Sequence, residues 1–174
     1  MNKRRFQRLL SMLGIFGILA CTSSCKVSYS LTGASIPVDA KTFSVEYFPN
    51  VALLVNPSLS ANFTEALKNK MLNNTRLHIT NDIGDLAFTG EIRDYKTSAM
   101  AITGNDKSAQ TRLTISVFCK FVNAKDPKQN FERTFTQYAD FDSNQSLATV
   151  ESSLVEEITK KIIDDIFNAS VANW

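Results

Sequence analysis

The alternation of apolar and polar positions predicts five extended segments in this chain. Residues 41–48 are apolar at every second position, which is typical of a strand that is buried on one face. Four more extended segments are predicted at residues 76–81, 85–96, 110–122 and 130–141. Turn sequences at 81–84 and 125–128 connect the first of these four to the second and the third to the fourth. We therefore expect two antiparallel hairpins.

Two helices are predicted from apolar residues at intervals of three and four positions. The first begins with Asn56 as its cap and Pro57 in the first helical position, and it ends at Asn73-Asn74. The second covers residues 147–168, and its buried stripe consists of Val150, Leu154, Ile158, Ile162 and Ile166. The order strand, helix, four strands, helix predicts an α+β fold. We expect a two-layer sandwich in which two helices pack on one face of a four- to five-stranded, mostly antiparallel mixed sheet.

The opposite face of this sheet is predicted to be polar, with two aromatic residues on it. Strand 110–122 places Phe118 there among Thr, Ser and Lys residues, and strand 130–141 places Tyr138 there among Thr, Glu and Asp residues. Such a face either contacts solvent or binds a partner. The pattern alone favours solvent.

The first 24 residues are typical of a secretory signal. Basic residues crowd its start, at Lys3, Arg4, Arg5 and Arg8, and an apolar stretch of about twelve residues follows from Leu9 to Ala20. A helix that spans a bilayer needs about twenty residues. We therefore predict a cleavable signal rather than a membrane-spanning anchor.

Two cysteines at the end of this signal match the pattern of bacterial lipoprotein maturation. In that reaction the thiol receives a diacylglycerol, the signal is cut before the cysteine, and the new amine is acylated, with palmitate for example. Cys21 follows Ile18-Leu19-Ala20 and Cys25 follows Thr22-Ser23-Ser24, so the local pattern leaves both open. Because each acyl chain adds to the binding energy, a triacylated terminus would attach the protein firmly to a membrane.

The third cysteine, Cys119, is predicted to be a buried hydrophobic residue. It continues an alternating run that contains Leu113, Ile115, Val117 and Phe121. A disulfide is the alternative in an extracytoplasmic protein. With one cysteine acylated at position 25 and the other removed with the signal, Cys119 would have no partner.

The composition argues against disorder and against nucleic-acid binding. The 174 residues are 44% hydrophobic and include twelve Phe residues, which require a core. The formal net charge is +2, but residues 1–24 hold four of the 19 basic residues and none of the 17 acidic ones. The chain without its signal therefore has a net charge of −2, and it lacks the basic excess of a nucleic-acid-binding protein.

The sequence contains no motif that predicts catalysis, a cofactor or a metal. It has one histidine, His78, and neither a G-x-S-x-G elbow nor a Walker loop nor a metal-binding spacing of Cys and His. The acidic pairs Asp82/Asp85 and Asp140/Asp142 fall at turns or strand ends, where Asp is common. We therefore expect a protein that is not an enzyme and needs no cofactor or metal.

The chain from Cys25 onward resembles the lipopolysaccharide-assembly lipoprotein LptE family, in the form found in Bacteroidetes-type bacteria. The resemblance rests on the order and spacing of short sequences: Cys25, Tyr29, Gly33–Ile36, Val45–Asn50, Phe63–Leu67, Gly84–Ile92, Arg112–Ile115, Tyr138–Phe141 and Asp165–Trp174. It favours Cys25 as the acylated residue. Thr22 departs from the family, which has a larger aliphatic residue there, and this keeps Cys21 as the alternative. The resemblance implies a lipoprotein signal peptide at 1–24, an anchor and arm at 25–40, and one LptE-like domain at 41–174.

The resemblance also implies a partner and a location. Family members sit at the periplasmic face of the outer membrane, where they partner the barrel protein LptD as a plug and assembly factor for lipopolysaccharide. Some members bind lipopolysaccharide through basic residues at one end of the sheet. Here the loop 97–110, with Lys107 and Arg112 at its exit, is a candidate site for phosphates, and a solvated hairpin is the favoured alternative. Phe118 and Tyr138 on the polar sheet face are the other candidate contacts with lipopolysaccharide or a partner. The composition is equally compatible with a lipid-anchored periplasmic adaptor that activates another envelope enzyme.

Overall fold

The structure is a computed structural model that describes residues 36–54, 56–100 and 109–171. The signal at 1–24, both candidate acylation sites (Cys21 and Cys25), most of the arm at 25–40 and the candidate contact Lys107 lie outside these residues. The statements about them remain predictions.

Five strands and two helices form within the described residues. In chain order they are β1 (Thr42–Val45), α1 (Leu59–Asn74), β2 (His78–Ile79), β3 (Leu86–Met100), β4 (Gln110–Asn123), β5 (Phe131–Asp142) and α2 (Leu147–Val171). The strand order in the sheet is β2-β1-β3-β4-β5, with β3, β4 and β5 antiparallel and β1 parallel to both of its neighbours. The predicted α+β arrangement of two helices and a five-stranded mixed sheet is confirmed.

The hairpin predicted between residues 76–81 and 85–96 is wrong. β2 pairs in parallel with β1, and β1 lies between β2 and β3. The segment before β3 crosses β1 closely, because the N–H of Gly84 donates to Ser44 Oγ at 3.1 Å. A Cβ on Gly84 would lie 2.6 Å from the carbonyl carbon of Phe43, so this crossing requires glycine. The prediction fails on direction as well as on pairing partner, because β2 and β3 both run parallel to β1 and the chain keeps its direction across residues 80–85.

The first helix begins two residues later than its predicted first position. Pro57 lies in a turn, and Asn56 Oδ1 accepts the N–H of Ser58 at 3.1 Å instead of capping the helix. Asn56 Nδ2 donates to Glu151 Oε1 on α2 at 3.0 Å. Asn56 therefore closes a local turn and links the start of α1 to α2. The predicted end of α1, at Asn74, is confirmed.

The core lies between the helices and the sheet and is rich in phenylalanine. The rings of Phe88 and Phe121 stack across β3 and β4 with centroids 5.0 Å apart, and Phe48 meets Phe63 of α1 at 5.2 Å. The predicted stripe of α2 is buried except for Val150, which is half-buried. Cys119 is a free thiol with 0% exposure, so its prediction as a buried hydrophobic residue is confirmed. Burial raises its pKa to about 12.

Candidate functional site

The sheet face opposite the helices, which we call the outer face, carries three of the candidate residues. The register of β4 and β5 pairs Arg112 with Asp140, Thr114 with Tyr138, and Phe118 with Thr134. Residues that pair across antiparallel strands point to the same side, so Arg112, Phe118 and Tyr138 share the outer face as predicted.

Arg112 is the centre of one cluster on this face. Its Nε and Nη2 donate to the two carboxylate oxygens of Asp140 at 2.7 and 2.8 Å, and its guanidinium lies 3.5 Å from the centroid of the Tyr138 ring. The hydrogen bond from Arg112 lowers the pKa of Asp140, and the same bond raises the pKa of Arg112. The structure thus brings Arg112 and Tyr138 together, with the guanidinium held by a bidentate ion pair.

Phe118 belongs to a second cluster. It lies six residues from Arg112 along β4, which corresponds to about 20 Å. The guanidinium of Arg93 covers the Phe118 ring at 3.9 Å from its centroid, and Arg93 Nε donates to Glu91 Oε1 at 2.9 Å. Each candidate aromatic residue is therefore covered by an arginine that also binds a carboxylate.

Sequence reasoning missed Arg93 because a bulge interrupts the alternation of β3. The register shifts between Ile92 and Asp94, so Arg93 and Asp94 are two successive polar residues between the buried Ile92 and Tyr95. Two polar residues between buried ones, in a strand that otherwise alternates, are the sequence signal for this bulge. That signal can be found in the sequence once the strand is known.

The charges of the outer face compensate one another. Each basic side chain that the structure describes on this face lies within 4 Å of a carboxylate; they are Arg93, Lys96, Arg112 and Lys120. Each of these four basic side chains is balanced by its own carboxylate partner. The face therefore presents stacked arginines and hydroxyl groups rather than a field of one sign.

A second candidate surface is an apolar loop at residues 51–54, which the sequence reasoning did not single out. Leu53 is 103% exposed, and Val51 and Leu54 are more than half exposed. The loop is nevertheless fixed in place, because the N–H of Val51 donates to the Ile92 carbonyl at 2.9 Å and the N–H of Ala52 donates to Asn50 Oδ1 at 3.0 Å. The sequence signal was a run of apolar residues in a segment between a strand and a helix, where polar residues are usual.

The described residues hold neither a cluster of three His, Cys, Asp or Glu side chains that could bind a metal nor a helix long and apolar enough to cross a membrane.

Comparisons with solved structures support the fold. The chain is similar to a Helicobacter pylori homolog of a neuraminyllactose-binding hemagglutinin, at 10% identity and a TM-score of 0.52, over 81% of this chain and 88% of that one. It is also similar to a minor lipoprotein from Acinetobacter baumannii, at 18% identity and a TM-score of 0.46, over 76% of this chain and 96% of that one. Uncharacterized lipoprotein B from Nitrosomonas europaea is 15% identical, with a TM-score of 0.48, over 81% and 88% of the two chains. The last two TM-scores are too low to support a structural inference.

No curated protein matches the chain. The family model for lipopolysaccharide-assembly LptE matches residues 40–170, which is well over half of the chain. This range includes every described strand, all of α1 and all but the last residue of α2. On this match, the protein belongs to the lipopolysaccharide-assembly LptE family.

Proposed function

We propose that this protein is an outer-membrane lipoprotein that partners an LptD-type barrel, as the plug and assembly factor through which lipopolysaccharide is inserted. The family match over residues 40–170 is the observation that carries this proposal. Membership of the LptE family gives the chain a role in lipopolysaccharide assembly and an envelope location. The barrel partner and the periplasmic face of the outer membrane are the finer parts of the proposal.

The anchor in this proposal is a set of acyl chains on Cys25, with Cys21 as the alternative. The basic and apolar residues of the signal and the small residues before each cysteine support it. Acyl chains on one residue, joined to the described domain by the arm, would hold the protein at the membrane surface.

The outer face is suited to the interior of a barrel. The lumen of a large outer-membrane barrel is polar. The basic side chains of this surface are already paired with carboxylates, as Arg112 is with Asp140. The surface can therefore lie against a polar wall, because no unpaired basic side chain would lose its contact with water. The paired charges and hydroxyl groups of the outer face support a plug in this way.

We also propose that the protein has no catalytic activity of its own, as is the case for the family. The pKa shifts of three side chains have structural causes in the fold. That of Asp140 follows from Arg112, that of Asp85 from hydrogen bonds and Lys125, and that of Cys119 from burial.

Lipopolysaccharide contacts the protein, in this proposal, at the candidate residues Lys107, Arg112, Phe118 and Tyr138. Among these four residues, Arg112 provides the described cation that could meet a phosphate, and Asp140 competes with the phosphate for its guanidinium. Asp140→Asn is therefore expected to strengthen binding of purified lipopolysaccharide, and Arg112→Gln is expected to weaken it. Surface plasmon resonance on the detergent-solubilised protein would measure both changes.

The test of the proposed function is co-purification from the envelope. A C-terminally tagged copy is expressed in the source bacterium and extracted in mild detergent, and we expect a large β-barrel protein to elute with it in equal amounts. Cys25→Ser should release the protein from membranes, whereas Cys21→Ser should not. Depletion of the protein should leave the barrel misassembled and lipopolysaccharide outside the outer leaflet.

Two outcomes would contradict the proposal. Recovery of the protein as a free monomer, with barrel assembly unchanged after depletion, would remove the barrel partnership. If the protein elutes with an equal amount of a periplasmic envelope enzyme and without a barrel protein, that result would support the adaptor function instead.

A further inference from the structure

A groove of about 1030 Å³ separates α1 from α2 on the side of the helices that faces away from the sheet core. One wall is a stripe of α1 residues at intervals of four, three and four positions: Asn62, Ala66, Asn69 and Asn73. The other wall and the floor come from α2, with small or buried residues that include Ser152, Val155 and Thr159. Two helices that packed closely would place apolar side chains at these positions, whereas this pair presents amide groups to an open trough.

Polar contacts between the helices mark the two ends of the groove. Lys70 Nζ binds Asp164 Oδ1 at 2.7 Å and lies 5.1 Å from the Phe167 ring centroid. At the other end Asn56 Nδ2 donates to Glu151 Oε1 at 3.0 Å. From Glu151 to Asp164 the helical rise of α2 gives a length of about 20 Å. These contacts span the gap between the helices and leave the groove between them open.

Three of the five asparagines that line the groove have no partner among the described residues. Within the described part of the chain, the side-chain amides of Asn62, Asn69 and Asn73 make no hydrogen bond to another protein group, whereas Asn56 and Asn74 do. Asn is a poorer helix former than Ala, Glu or Lys, so helix stability does not explain three of them on one stripe. Short amide side chains are well suited to adaptable hydrogen bonding at a binding surface.

A buried hydroxyl in the same groove also lacks a partner. Thr159 lines the groove and is 7% exposed, and its Oγ1 makes no hydrogen bond within the described part of the chain. Most buried hydroxyl groups in proteins are paired. Because threonine in a helix uses two χ1 rotamers, a rotation can turn this hydroxyl toward a ligand in the groove.

We propose that the groove between α1 and α2 binds an extended, uncharged peptide segment of a partner chain. A carboxamide matches a peptide group, because Oδ1 accepts a peptide N–H while Nδ2 donates to a peptide carbonyl. Asn69 and Asn73 lie about 6 Å apart along the helix, close to the two-residue repeat of about 6.6 Å in an extended peptide. The whole groove accommodates about six such residues.

The lining favours a peptide over an oligosaccharide. Aromatic rings, on which the apolar faces of sugars stack, do not occur among the described side chains that line the groove. The lining has two basic side chains and three acidic ones, so its charges nearly balance: Lys70 and Lys160 against Glu151, Glu156 and Asp164. Lys70 is paired with Asp164, and Glu151 accepts hydrogen bonds from Asn56 and Tyr95. A neutral main chain therefore matches this lining better than a strongly charged ligand does. The inference rests on the proposed function, which supplies a partner protein to provide the segment.

The test uses a library of random 12-residue peptides displayed on phage and selected against the acylated, detergent-solubilised protein. Recovered peptides are synthesised with a fluorophore, and their binding is measured by anisotropy. We expect to recover uncharged peptides that bind the native protein. Their affinity for the triple variant Asn62→Ala/Asn69→Ala/Asn73→Ala should be at least tenfold lower. This variant cannot fail through misfolding of α1, because alanine is the better helix former at each position.

The matched control is Glu65→Ala/Lys68→Ala, which removes two polar side chains of α1 that do not line the groove. It should leave peptide binding unchanged. Peptides that bind the triple variant as well as the native protein, or a failure to select any peptide, would overturn the inference. Binding of the delipidated polysaccharide of lipopolysaccharide that the triple variant abolishes, without peptide binding, would overturn it in favour of a sugar site.

Thr159→Val is a second test variant, which should raise the stability of the protein and lower its affinity for peptide. Valine keeps the shape and removes the unpaired hydroxyl, so the urea midpoint should rise, while peptide affinity should fall. A lower urea midpoint would show that the hydroxyl is satisfied in the fold and would remove this support. Co-elution of the native protein with a barrel tests the proposed function separately. Peptide binding in the groove can therefore be refuted while the barrel partnership stands. The barrel partnership can likewise be refuted while peptide binding stands.

Discussion

Gly90 occupies the point where β3 comes closest to its surroundings. A Cβ at this position would lie 2.0 Å from the Phe118 carbonyl oxygen on β4 and 2.6 Å from Cε1 of the buried Phe48 ring. The first of these atoms is backbone, so two strands would have to separate. We expect Gly90→Ala to lower the free energy of unfolding by about 3 kcal/mol, measured by urea denaturation. Ser98→Ala, on an exposed part of the same strand, is the control and should change it by less than about 0.5 kcal/mol.

Asp85 fastens the start of β3 to the start of β1. Its Oδ2 accepts the N–H groups of Lys41 and Thr42 at 2.8 and 3.1 Å, and its Oδ1 lies 3.0 Å from Lys125 Nζ. The Lys41 N–H, followed by Lys125 and Thr42, holds the pKa of Asp85 well below its usual range. The ionised carboxylate therefore stabilises the fold above the unfolded pKa of about 4. This contribution is lost as the pH falls below that value toward the folded pKa.

Asp85→Asn should therefore lower the urea midpoint more at pH 7 than at pH 3. Asp82→Asn is the matched control, because no hydrogen bond or ion pair holds that carboxylate in the described part of the chain. A loss of equal size at both pH values would show that the charge of Asp85 does not contribute to stability.

The long strands were predictable because their signal is local. In β4 the alternation of Leu113, Ile115 and Val117 with polar residues gave both the strand and its outer face. The role of Asn56 was not predictable, because its partner Glu151 lies 95 residues away in the sequence. The pairing of β2 with β1 was missed for the same reason, because the turn residues at 81–84 indicate neither the neighbour of a strand nor whether the next strand runs antiparallel to it.

The contact between β3 and α2 depends on one phenol. Tyr95 is buried, and its hydroxyl donates to Glu151 Oε1. Burial, followed by Glu151, raises the pKa of Tyr95 well above its usual value. Tyr95→Phe removes a hydrogen bond to a carboxylate, so it should lower the free energy of unfolding by about 2 kcal/mol. Tyr47→Phe, at an exposed tyrosine, should have almost no effect. Equal stability of the two variants in urea would contradict this role.

At the scale of the whole molecule, Cys119 reports on the opening of the sheet. It lies on β4, between β3 and β5 and beneath the helices, and its raised pKa leaves little thiolate at neutral pH. We expect iodoacetamide at pH 8 to label Cys119 only as fast as the protein unfolds, and to label it at once in concentrated urea. Rapid labelling of the native protein would show that the sheet opens without global unfolding.

The family and the fold class were accessible from sequence, but the surfaces between elements were not. The groove exists because of the distance between α1 and α2, and a periodic pattern gives no such distance. The pairing of Arg93 with Phe118 depended on a bulge, and that of Arg112 with Asp140 depended on the register of β4 with β5. Residue identities thus predicted which side chains are polar, while the tertiary arrangement determined which of them are already bound to another side chain of the protein.

The apolar loop at residues 51–54 has a consequence for protein synthesis in the cell. A fixed, water-exposed leucine such as Leu53 is unfavourable for any subunit that remains alone. Surplus copies would cluster through this loop or be degraded by envelope proteases. Replacing Leu53 with serine should therefore let unassembled copies accumulate.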